Sequence, residues 1–209
     1  TEAVRETASE VLKYKGNIVT TYYYSTSCGK TTTMKAWGTS ENGSNGYLQS
    51  VEVKDKNGDY EKLLPWYRWE ADIDQDILSA LLAENVKKNI GTVQSLEVTK
   101  TGPGGVALQI KAVGDKGSIT VDTENKIRKA LGGNGYEIKK QDGTVAQSGT
   151  LLPSAFFKVK KAGNIFKIIG GGYGHGIGMS QNGANEMAKT GKNYQEILQM
   201  FYPGTTIEK

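Results

Sequence analysis

With one cysteine and one histidine in 209 residues, this chain is poor in the residues that staple folds and bind transition metals. A lone Cys28 excludes a disulfide within the chain. One Cys and one His cannot build a closed Cys/His zinc centre or an H-E-x-x-H helix. Long apolar runs are missing as well: hydrophobic content is 37%, mean hydropathy is -0.48, and no stretch approaches the roughly 20 residues of a membrane helix. The opening Thr1-Glu2-Ala3-Val4-Arg5 lacks the basic-then-apolar order of a signal peptide. Nor is charge of one sign abundant, since 26 basic residues face 22 acidic ones for a net +4 and a pI near 8.9. The lysines are scattered and no recognition motif accompanies them, so nucleic acid is not an expected partner.

What the chain has is glycine, 27 residues of it. The run Gly170-Gly171-Gly172-Tyr173-Gly174-His175-Gly176-Ile177-Gly178-Met179-Ser180-Gln181 surrounds the single histidine. Glycine reaches positive φ and lets backbone approach a neighbour closely. The interspersed Tyr173, His175, Ser180 and Gln181 are hydrogen-bonding types. A strand-like run, Ile165 to Ile169, leads in, and a helix over Asn182 to Lys189 is expected to follow. A strand, a polar glycine loop and a helix N-terminus form a common platform for binding groups. The dinucleotide pattern G-x-G-x-x-G fails in every register of the run, and the P-loop pattern fails at both Gly-Lys pairs.

The rest of the chain reads as α+β: a β-rich mixed fold with a few helices, in one domain over 1–209, with a smaller β/α lobe inserted at 93–150. Strands are expected over Asn17 to Ser25, Tyr47 to Lys54 and Trp66 to Ala71, from their β-branched and aromatic content or alternation. Asp74 caps a helix whose Ile77, Leu78, Leu81 and Leu82 form one apolar face, with Gly91 near its end. Within the lobe, strands over Val93 to Lys100, Val106 to Ala112 and Ser118 to Val121 alternate with glycine turns, and a helix runs from Thr123 to Leu131. Leu151 to Lys161 and Asn164 to Ile169 read as paired strands. Asn193 with Glu196 forms a capping box for a last helix.

Several of these segments carry a resemblance. Gly172-Tyr173-Gly174-His175-Gly176-Ile177-Gly178-Met179-Ser180-Gln181-Asn182-Gly183-Ala184, with Tyr194 to Leu198 and Phe201-Tyr202-Pro203-Gly204-Thr205 after it, resembles the closing signature of the SpoIID/LytB family. Val11 to Gly16, Tyr24 to Thr31, Trp37-Gly38, Pro65 to Trp69 and Leu152 to Phe157 agree in the same order. The family includes stage II sporulation protein D, a lytic transglycosylase of peptidoglycan glycan strands, and proteins described as amidase enhancers. Membership implies non-hydrolytic cleavage to a 1,6-anhydro product, without a required cofactor. It further implies an extracytoplasmic protein anchored in the membrane through an upstream segment, with glycan strands as ligand and a cell-wall amidase and membrane-anchored sporulation proteins as partners.

The resemblance also locates a departure. In the family the proposed catalytic glutamate lies upstream, in an E-M-P context before an alanine-rich run, and no such segment occurs in this sequence. The chain is therefore expected to be a C-terminal piece, and Glu2, Glu6 and Glu10 do not inherit the role by position. By the family's pattern Tyr173, Gly174 and His175 face substrate, with Tyr173 and His175 in supporting roles. Ser180 and Gln181 either bind substrate or cap the following helix. Two other readings stand beside this one: a non-catalytic glycan-binding or amidase-enhancing module, and a wall-peptide hydrolase with Cys28 as nucleophile and His175 as base. A partial zinc site from Cys28, His175 and carboxylates or water is left open.

Overall fold

Alternation along Trp69-Glu70-Ala71-Asp72-Ile73-Asp74 sends Trp69, Ala71 and Ile73 to one face, and a computed structural model, which describes residues 2–209, buries these three. Their strand is the centre of a five-stranded antiparallel sheet. The order is Val145–Gln147, Glu137–Lys140, Trp69–Asp74, Ile165–Gly170, Phe157–Ala162. Ile168 lies opposite Ala71 and Phe166 opposite Ile73, so the register keeps all four apolar side chains on the core face. The helix Gln75–Val86 begins where the central strand ends, because the Asp74 carboxylate accepts from the Asp76 amide at 2.8 Å. It turns Leu78, Leu81 and Leu82 inward. Its end comes at Lys87, in the left-handed region at φ 57, rather than at Gly91, which turns the chain into the next strand.

That next unit is an antiparallel meander, Val93–Thr101, Ala107–Gly114 and Gly117–Asp122, followed by the helix Glu124–Leu131. Val93, Leu96, Ile110, Ile119 and Leu131 share one buried cluster with Leu78, Ile73 and Phe166. After that helix the chain returns to the first sheet through Glu137–Lys140. Strand exceeds helix, 34% against 25%, and the fold is mixed α+β.

Two expected strands are broken up. Within Asn17 to Ser25 only Asn17–Ile18 and Tyr23–Tyr24 are strands, the first antiparallel to Val11–Tyr14 and the second parallel to Met179–Ser180. β-Branched composition reports a fit to extended backbone, and it does not say that one partner will accompany the whole run. Tyr47 to Lys54 holds a single bridge, Lys30 to Glu52, and enters a short hairpin of Lys54–Asp55 with Gly58–Asp59. Pro65–Tyr67 is a 3-10 turn with Pro65 at its start, which delays the central strand to Trp69. The paired strands near the end begin at Phe157 instead of Leu151. The capping box of Asn193 with Glu196 is formed in full and starts the helix Tyr194–Phe201.

Candidate functional site

The glycine loop is stitched to the segment between Tyr22 and Thr32. Tyr173 and Thr26 exchange both backbone hydrogen bonds, Thr32 donates to the Gly176 carbonyl at 2.7 Å, and Met179 donates to the Tyr22 carbonyl at 3.0 Å. Gly172, Gly174, Gly176 and Gly178 all have positive φ. At Gly178, φ 75, a Cβ would overlap the Tyr22 carbonyl oxygen, so only glycine fits that close approach. Gly172 and Gly178 make room for backbone, Gly174 and Gly176 for the side chains of Tyr24 and Phe156, and Gly170 and Gly171 line an open groove.

The signature side chains go to different places. Tyr173 is 42% exposed, its ring tilted against Trp66 with centroids 4.8 Å apart. Lys140 Nζ lies 5.1 Å from the Trp66 ring. His175 is half-buried, packed edge-on against Trp37 at 5.0 Å. Its Nδ1 accepts from the Ile177 amide at 3.1 Å, which leaves the proton on Nε2 to be donated to the Tyr23 carbonyl at 3.0 Å. Burial drives its pKa down to about 4, against the smaller upward pull of the Tyr23 carbonyl. A neutral imidazole with both nitrogens occupied is a structural clamp between the loop and Tyr23. Gly174 donates its amide to the Pro153 carbonyl at 2.8 Å. Gln181 is exposed at the first position of the helix Gln181–Lys189.

Ser180 does not face ligand space. It is fully buried as the cap of the helix Gln181–Lys189, accepting from the Gly183 amide at 3.2 Å and donating to Glu61 at 2.7 Å. Glu61 is the residue that sequence reasoning missed. Its 0% exposed carboxylate also accepts from the Ser27 amide at 2.9 Å and from the Ser27 hydroxyl. Burial raises its pKa, and the Ser27 and Ser180 hydrogen bonds oppose that rise. No local pattern marks Glu61, since its partners lie 34 and 119 positions away.

Beside this buried network lies a groove of about 570 Å³. Cys28, Gly29, Lys30, Phe157, Lys158 and Gly170 line it together with the Gly104-Gly105 turn. Arg68 lines it in a fixed pose. Its Nη1 donates to the Cys28 carbonyl at 3.0 Å and the Tyr67 carbonyl at 2.7 Å, its Nη2 donates to the Tyr67 hydroxyl at 3.1 Å, and the guanidinium stacks 3.8 Å from the Tyr67 ring centroid. The Tyr67 hydroxyl in turn donates to Asp59, and burial together with that carboxylate pushes Tyr67 up to about 12. The Cys28 thiol is pushed up by burial, a shift that Arg68 only partly offsets.

A second cavity, of about 380 Å³, collects His175, Trp37, Thr123, Asn125 and the buried pair Glu124–Arg128, joined at 2.7 Å. Cys28 and His175 thus open onto different cavities, and the base that the hydrolase reading needs is already bonded to backbone. Among the described residues no group of three or more His, Cys, Asp and Glu is disposed to hold a metal ion. The donor set does not fit the partial zinc site, because neither His175 nitrogen has a free lone pair directed at Cys28.

The fold is mixed α+β, with the glycine loop leading into a capped helix. The chain belongs to the SpoIID family and, over residues 42–178, to the family described as Domain of unknown function (DUF8618). It is 29% identical to Stage II sporulation protein D of Bacillus subtilis (strain 168) over 209 residues, covering 100% of this chain and 51% of that protein. It is 30% identical to Stage II sporulation protein D of Bacillus amyloliquefaciens, again over 100% of this chain and 51% of that protein. With the Amidase enhancer of Bacillus subtilis (strain 168) it shares 28% identity over 231 residues, 99% of this chain and 32% of that protein. The chain spans about half the length of the sporulation proteins and about a third of the enhancer.

Proposed function

We propose that this chain holds peptidoglycan glycan strands in the Arg68 groove for a lytic transglycosylase reaction whose catalytic glutamate lies outside these 209 residues. The observation that carries the reading is the groove itself: an open trough of about 570 Å³, walled by glycine backbone and lined by charged side chains. The tilted Trp66–Tyr173 pair comes from the same two segments, joined through Gly172, whose amide donates to the Trp66 carbonyl at 2.8 Å. Fixed polar donors with an aromatic face suit a sugar chain.

In such a reaction a carboxylic acid protonates the glycosidic oxygen as the C–O bond breaks. The same carboxylate then takes the proton from the sugar's own 6-hydroxyl as that oxygen bonds to the anomeric carbon, and no water is consumed. Four carboxylates of this chain, Glu52, Asp59, Glu61 and Glu124, are poorly placed for the task. Glu61 and Glu124 are fully buried, and Glu52 is held below the usual carboxylate range by Lys54 and Lys30. Asp59 accepts a hydrogen bond from the Tyr67 hydroxyl. On this account Arg68, the glycine walls and Tyr173 bind and orient the strand, and His175 fixes the loop that presents Tyr173.

A second reading, a non-catalytic module that binds glycan and stimulates a cell-wall amidase, is favoured by the match of 99% of the chain to a protein named Amidase enhancer. Either reading places the protein outside the cytoplasm, with membrane-anchored sporulation proteins as further partners. Among the described residues no helix is long and apolar enough to cross a membrane. Mass spectrometry of denuded glycan strands separates the two: the full-length protein releases 1,6-anhydro ends under the first reading and none under the second. Anhydro ends from this chain alone would show that the acid has been misplaced.

A further inference from the structure

We infer that the groove selects a carboxylate on its ligand, and that Arg68 is the residue that reads it. The inference rests on the glycan reading above and narrows the ligand from a sugar chain to an acidic one. Arg68 is held from behind by the Cys28 and Tyr67 carbonyls and the Tyr67 hydroxyl, all within 3.1 Å. Gly171 makes this possible, because a Cβ there would crowd the Tyr67 carbonyl and lie 3.1 Å from Arg68 Nη1. Three of the five guanidinium N–H donors are thereby used. The Nε–H and one Nη2–H have no acceptor among the described residues, although the side chain lines the groove.

The surroundings favour an anion at those two donors. Four cations line the groove, Lys30, Lys54, Arg68 and Lys158, against two carboxylates, Glu52 and Asp59. Glu52 is already paired with Lys54 at 2.5 Å and Lys30 at 3.2 Å, and Asp59 is engaged by the Tyr67 hydroxyl. Neither reaches Arg68 as an ion pair, and Lys158 has no acidic partner among the described residues. A planar carboxylate matches a guanidinium fork with two parallel hydrogen bonds, whereas a neutral sugar hydroxyl meets one donor at a time. The pose of Arg68 is set before binding, so little side-chain order remains to be lost when the ligand arrives.

Calorimetry with this chain and three tetrasaccharides tests the inference. The first alternates N-acetylglucosamine with N-acetylmuramic acid bearing free lactyl carboxylates, the second carries the same lactyl groups as carboxamides, and the third is chitotetraose. At low salt the acid form is expected to bind about tenfold more tightly than the amide, the scale of one charge-assisted pair. Arg68→Gln removes that preference. Arg68→Lys keeps the charge, loses the fork and retains only part of it. Lys158→Gln, a change at an exposed position, weakens the acid form several-fold, and it carries the test together with the unmodified chain if Arg68 variants fold poorly. Equal affinity for acid and amide overturns the inference and leaves the glycan reading standing, as does tighter binding of a polyglycerol phosphate than of the acid form. No binding of any of the three overturns both.

Discussion

Glu61 and His175 act in opposite directions on the same loop. Glu61 ties Ser27 to Ser180, and therefore the Cys28 wall of the groove to the helix that follows the signature. Replacing it with Gln leaves one hydroxyl facing an amide N–H₂ in a buried site, and Glu61→Gln is expected to cost about 1–3 kcal/mol in chemical denaturation. Its raised pKa means that the folded state holds a proton more tightly than the unfolded one. That contribution is present below the unfolded value and fades as pH rises through the folded one. His175 behaves in the reverse sense: with its pKa lowered from 6.5 to about 4, its contribution is full above 6.5 and is lost as pH falls toward 4. The stability difference between the native chain and His175→Gln should therefore shrink on the order of 3 kcal/mol between those two pH values. A difference independent of pH would mean that the imidazole is not held neutral.

At the scale of elements, backbone conformation separates what sequence reveals from what it hides. Gly178→Ala forces a Cβ against the Tyr22 carbonyl at φ 75 and is expected to lose about 3 kcal/mol or more. Gly163→Ala, at a turn where nothing lies within 4 Å of the added atom, should lose less despite its φ of 58. Thr123, a β-branched residue at φ 70 before the helix Glu124–Leu131, makes no side-chain cap bond. Thr123→Gly should thus change stability by less than about 1 kcal/mol in thermal or chemical unfolding, since relief of the strain is offset by the freedom glycine gives the unfolded chain. The helix caps at Asp74 and Asn193, the Ala162-Gly163 hairpin and the three-stranded meander were legible because their signals are local. The split of Asn17 to Ser25 was not, because its halves pair with Val11–Tyr14 and Met179–Ser180, far apart in sequence.

On the scale of the molecule, the signature loop was legible as a motif, but the direction of its side chains was not. Alternation sends Tyr173 outward to Trp66 and His175 inward to Tyr23, and no spacing rule distinguishes the two. The groove was illegible for a related reason. Cys28, Glu52, Arg68, Gly105, Lys158 and Gly171 come together only through the five-stranded sheet and the turns around it. Arg68 stood in a segment singled out for its family likeness, yet its role depends on carbonyls that the fold delivers.

On the reading proposed above, the glycan lies in this groove. Backbone amide shifts of the isotopically labelled chain, followed during titration with the acidic tetrasaccharide, test it most directly. Perturbations are expected to gather at Gly29, Gly104, Gly105, Gly170 and Gly171, whose amides belong to the groove walls. Perturbations gathered instead at Trp37, Asn125 and His175, around the second cavity, would contradict the claim.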